Sequence, residues 1–181
     1  MKNIFFVLTL FLVSAITVSA QEWIDYKSEE LAFIAKYPVQ PVQTLEVIDT
    51  EAGPLDMYMV MHVATSESSN NVVYSVIKST YPESQFEEVS EGYNDEVLDS
   101  AVQGAVENVN GTLIFENKVT HNGYPGRSIK IEIDKAFIYM NAFLVDNMMF
   151  ISQVICMTDK DENTDIKRFM DSFDIIKVKE D

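Results

Sequence analysis

Residues 121–134 read HNGYPGRSIKIEID. Asn122-Gly123 is a strong hairpin signal, because a two-residue turn of the favoured hand needs positive φ at its central positions. Beyond it, Ile129, Ile131 and Ile133 alternate with Ser128, Lys130, Glu132 and Asp134. A period of two sends the isoleucines to one face of a strand and the polar residues to the other. The stretch therefore reads as a hairpin corner followed by an antiparallel strand with one dry face and one wet face.

Strands of this kind need partners, and the flanking sequence supplies them. TLIFENKVT (112–120) leads into the turn. AFIYMNAFLV (136–145) is apolar on both faces, so it is expected to be central. Asp146-Asn147 then turns the chain into MMFISQVICM (148–157). Nearer the start, EWIDYKSEELAFIAKYPVQP (22–41) reads as two short strands around a charged turn, ended by Pro38 and Pro41. VQTLEVIDT (42–50) and LDMYMVMHVAT (55–65) read as a hairpin about Gly53-Pro54, and VVYSVIKSTYP (72–82) as another strand.

Two helices interrupt this pattern. In NDEVLDSAVQGAVENVNG (94–111), Val97, Leu98, Ala101, Val102, Ala105 and Val109 recur at helical spacing. Asn94 is the expected N-cap and Gly111 the expected C′ residue. In DENTDIKRFMDSF (161–173), Ile166, Phe169, Met170 and Phe173 share one stripe. DIIKV (174–178) can add a last short strand. Strands, a helix, a run of antiparallel strands and a closing helix make the chain α+β, with helices packed on a mostly antiparallel sheet.

The first twenty residues, MKNIFFVLTLFLVSAITVSA, have the form of a secretory signal: a lysine, a short apolar stretch, and small residues at Val18 and Ala20. Cleavage is expected between Ala20 and Gln21, leaving a single domain over residues 21–181. The expected location is outside the cytoplasm, periplasmic or extracellular in a bacterium. No later apolar run is long enough to span a bilayer. With 13 basic and 29 acidic residues, the net charge is −16. Such a surface repels phosphate backbones and anionic lipid heads, which argues against nucleic-acid and membrane-surface binding. The single cysteine, Cys156, lies in an apolar strand and reads as a buried, inert thiol.

The strand carrying FIAKYPVQP, the YP after a later strand, a helix, NGYPGR before further strands and a closing FMDSF together resemble the PsbP-like superfamily. The resemblance spans nearly all of residues 23–176. It implies a PsbP/Mog-type α/β/α sandwich around an antiparallel sheet. It also implies an interaction or assembly role rather than catalysis, and it carries over no catalytic residue.

The residues themselves point to no enzyme class. There is no G-x-S-x-G elbow, H-E-x-x-H, Walker loop or dinucleotide fingerprint. Paired carboxylates carry no information in so acidic a chain, so a hydrolase with a dispersed site stays a third reading. No cofactor is called for. Calcium is a weak candidate: Asp159, Asp161, Asn163 and Asp165 match alternate positions of an EF-hand loop, but Thr164 replaces its glycine and Met170 its bidentate glutamate. An acidic start to the last helix explains the same run. Met57, Met59 and Met61 share a strand face that could suit Cu(I), yet His62 points the other way and core packing explains methionines equally. Asn110-Gly111-Thr112 is a glycosylation sequon by pattern alone.

NGYPGR is not an anion cradle, since a strand rather than a helix follows it. Tyr124 and Arg127 on that corner are the interaction candidates. Arg127 either faces a partner or pairs with neighbouring carboxylates. The leading expectation is a non-enzymatic domain that contacts an unidentified protein partner; the alternative is a periplasmic protein that binds a small ligand or a divalent cation.

Overall fold

The computed structural model describes residues 22–50, 53–66 and 68–176. The expected signal and its Ala20–Gln21 cleavage site lie outside them. The chain opens with β1 (Ile24–Ser28) and β2 (Phe33–Tyr37), paired antiparallel. The hairpin β3 (Val42–Thr50) and β4 (Gly53–Val63) follows, then β5 (Val73–Thr80) and α1 (Tyr93–Asn108). Four strands come next: β6 (Thr112–His121), β7 (Tyr124–Ile133), β8 (Ala136–Val145) and β9 (Met148–Met157). The helix α2 (Thr164–Ser172) and the two-residue strand β10 (Asp174–Ile175) complete the fold.

Strands β3 to β9 form one antiparallel sheet in the order β3-β4-β5-β9-β8-β7-β6, and β1, β2 and β10 form a second, small one. The architecture is α+β, as the element order led us to expect. Tight turns set the register of β6 to β9. Asn122 and Gly123 both have positive φ, 53° and 87°, so His121 faces Tyr124 across a two-residue loop. Lys135 and Asp146 also take positive φ in the next two turns.

Each face of the large sheet is covered differently. On one face α1 lays Leu98 and Val102 over Ile129, Ile131, Met140 and Leu144. On the other, Trp23 just before β1, Phe33 and Tyr37 of β2, and Ile166 and Phe169 of α2 join the main core with Val60, Val76, Phe150 and Val154. Buried Tyr37 ties the layers together, its hydroxyl donating to the Val60 carbonyl at 2.9 Å. Cys156 is fully buried in this core. Among the described residues no helix is long and apolar enough to cross a membrane.

Three local expectations are corrected. The N-cap of α1 is Gly92, not Asn94, and no side chain caps it. The Tyr93 ring, edge-on to Phe86 at 5.4 Å, packs the first turn, which starts two residues earlier than polar capping suggests. The C′ position belongs to Asn110, at φ 49°, rather than to Gly111. Asn110 N–H donates to Glu107 and Gly111 N–H to Val106, a Schellman closure that places the glycine one residue later. Gly111 serves close approach, since a Cβ there would lie 2.4 Å from Ile131 Cγ2. Finally, the polar face of β7 is wet only in part: Glu132 is exposed, but Lys130 is only 7% exposed. Alternation assigns side chains to faces but does not say what covers each face, and here the segment leading into α2 does.

Candidate functional site

The arginine singled out by sequence lies on the isoleucine face of β7, beneath α1. Arg127 is 1% exposed. Its Nε and NH2 donate to Asp99 Oδ1 at 2.9 and 2.6 Å, and NH2 also reaches Asp95 Oδ1 at 2.6 Å. Glu116 Oε1 stands 3.1 Å from Nε. The hydrogen bonds from Arg127 and Lys118 hold the Asp95 carboxyl below its ordinary range. Of the two alternatives for Arg127, the geometry is the one in which it pairs with its own chain. It fastens α1 to β6 and β7. Tyr124 is half-buried against the main core and borders a shallow depression with Phe86 and Asn94.

The acidic run before α2 is divided among separate tasks. Asp161 accepts from Lys130 Nζ at 2.7 Å and from the Tyr139 hydroxyl at 2.5 Å. Burial would raise its pKa, but these donors more than offset that and hold it low. Lys130 also sits over the Phe137 and Tyr139 rings, at 4.1 and 4.9 Å from their centroids. Asn163 caps α2, its Oδ1 accepting from the Asp165 and Ile166 N–H groups. Asp165 accepts from Asn70 Nδ2 at 2.7 Å, and Asp159 lies in a short 3-10 turn. Among the described residues no three His, Cys, Asp or Glu side chains gather as metal ligands. Met57, Met59 and Met61 lie half-buried along β4, and His62 alternates to the other face, where it stacks on Tyr74.

Two features that the sequence did not single out carry more chemistry. One is a cleft of about 560 Å³ between Trp23, the loop after β4 and the start of α2. Its floor is the Tyr74 ring, which meets Trp23 edge-on at 5.3 Å and His62 face-on at 6.3 Å. Buried Asn71 donates to the Tyr74 hydroxyl at 2.7 Å and exchanges hydrogen bonds with Asn163, which fixes the floor to α2. Burial pushes the Tyr74 pKa up to about 12 and lowers that of His62, so both rings are neutral at pH 7. Arg168 lies over the Trp23 ring, 4.5 Å from its centroid. Sequence reading could not assemble this site, because Trp23, His62, Asn71 and Arg168 come from four separate elements or loops.

The other feature is the contrast between the two edges of the large sheet. Edge strand β6 has a register shift between Leu113 and Phe115 and carries Lys118, both devices that discourage pairing with another strand. Edge strand β3 has neither. It pairs with β4 in unbroken register from Val42 to Thr50 and contains no lysine, proline or glycine. Val42, Leu45 and Val47 are 67%, 50% and 62% exposed. The hairpin also overhangs the sheet, since β5 pairs with β4 only from Met57 onward.

No family model matches the sequence, and no curated protein matches it. Among solved structures, the chain is similar to the solution structure of cyanobacterial PsbP (CyanoP) from Synechocystis sp. PCC 6803. The identity is 11%, the match covers 91% of this chain and 98% of that one, and the TM-score is 0.48. The antiparallel sheet with helices packed on it follows the element order expected from the sequence.

Proposed function

We propose that this chain is an exported, non-enzymatic interaction domain that binds an extended segment of a partner protein along β3. The observation that supports this reading is the unprotected β3 edge. An edge strand presents unpaired N–H and C=O groups to any added strand, and native proteins usually blunt such edges. Here β6 has a bulge and a lysine, while β3 has neither and its charged residues are the acids Glu46 and Asp49. An incoming strand would gain main-chain hydrogen bonds along β3 and apolar contacts at Leu45 and Val47, the mode known as β-augmentation. The net charge of −16 favours a segment carrying lysine or arginine and disfavours a second copy of the same chain.

The test is partner recovery from cell-envelope extracts with the wild-type domain and a Leu45→Lys/Val47→Lys variant. Both positions are exposed, so circular dichroism and thermal unfolding should be unchanged. A partner held by the wild type and released by the variant supports the proposal. Equal recovery by both proteins sinks it, as does a wild-type homodimer in light scattering that the variant abolishes.

A further inference from the structure

The cleft above Tyr74 is lined by one of the chain's two arginines. The chain has two arginines and 29 acidic residues, and Arg127 is surrounded by three carboxylates. Arg168 is treated differently. Among the described residues it makes no ion pair, and it lies over the face of Trp23. Stacking fixes the guanidinium plane through its face while leaving the fork of N–H donors along its edge for another acceptor. Of the two acids three residues away on the same helix, Asp165 is held by Asn70 and Asp171 by Lys167.

We propose that this cleft binds a small carboxylate bearing a flat apolar body, with Arg168 as the carboxylate clamp and Trp23, Tyr74 and His62 as the wall for the body. Arg168 is the one cation among the described residues lining the cleft. A single guanidinium next to Asp165 matches one negative charge, and a bidentate fork matches the planar carboxylate in particular. A doubly charged phosphate would meet too little positive charge here. The Tyr74 hydroxyl already accepts from Asn71, so its own proton is available as a second donor. A volume of about 560 Å³ suits a ligand of this size. Asn71 and Asn163 pre-set the floor, so little ordering is required on binding.

Trp23 is the sole tryptophan and lies under Arg168, so its fluorescence reports on the clamp. The experiment titrates the domain with phenylacetate, with neutral phenylacetamide and with N-acetylphenylalanine. Phenylacetate should give a saturable change, and phenylacetamide should bind about tenfold or more weakly, since a charge-assisted pair is lost. Arg168→Gln should erase the preference for the acid while leaving circular dichroism unchanged, and Arg168→Lys should keep part of it. Tighter binding of N-acetylphenylalanine would assign the clamp to peptide C-termini; weaker binding would assign it to free acids. Equal affinity for acid and amide, no saturable change up to about 50 mM, or an Arg168→Gln variant that keeps the preference overturns the proposal.

Discussion

The ammonium of Lys130 rests against two aromatic rings and one carboxylate, all supplied from its own face of the sheet. Removing one member of a buried pair is costly because the other charge stays behind without compensation. Asp161→Asn should therefore lower stability by about 2–4 kcal/mol in urea unfolding, and Lys130→Met added to it should recover part of the loss. A single variant within about 0.5 kcal/mol of wild type would contradict the assigned role. The same carboxylate shapes the acid limb of the stability curve. Asp95 is held low chiefly by its hydrogen bond to Arg127. Asp161 and Asp174 are each opposed by burial, yet their hydrogen-bond donors leave them low as well. A lowered folded-state carboxyl gives stability that is full above its ordinary value of 3.8 and is lost as pH falls through the lowered one. Stability should thus be level above about pH 5 and fall below about pH 4, with a shallower fall in Asp161→Asn. A thermal midpoint flat down to pH 2 would refute this.

At the scale of elements, two glycines make opposite predictions. A Cβ at Gly126 would stand 2.5 Å from the Ala142 carbonyl oxygen and 2.5 Å from Phe143 Cδ1, so the β7–β8 contact leaves no room. Gly104, inside α1, has nothing within 4 Å. Gly126→Ala should destabilise by about 1–3 kcal/mol through overpacking, while Gly104→Ala should stabilise by about 0.5–1 kcal/mol through helix propensity. Chemical denaturation of both variants checks the pair, and effects of the same sign would show that the packing is misread. Elements whose signals are local were legible in the sequence. Asn122-Gly123 fixed one hairpin, Ile129 and Ile131 marked the face that α1 covers, and Ile166 and Phe169 marked the buried side of α2. Residues whose meaning is set across the chain were not. Lys130 was expected in water because nothing near it in sequence announces Asp161, 31 positions away. Arg168 and Trp23 lie at opposite ends of the described chain, so no spacing could join them into a cleft.

On the scale of the whole molecule, the large sheet is sandwiched along much of its length but bare at the β3 edge, while α2 lines the cleft proposed to bind a carboxylate. The two readings are separable by variant: Leu45→Lys/Val47→Lys should leave the Trp23 titration unmoved, and Arg168→Gln should leave partner recovery unmoved. Cys156 offers a different kind of measurement. It is fully buried, and burial together with Asp161 raises its pKa, so the thiol is both shielded and protonated in the closed state. Alkylation by iodoacetamide can then proceed only when β9 separates from the layer above it. The labelling rate of this one sulfur, compared with that of the unfolded chain, becomes a clock for how often the core of the sandwich opens. If the core opens only on global unfolding, the rate ratio should equal the unfolding equilibrium constant from urea titration. Faster labelling would locate a partial opening that leaves the rest of the sheet in place.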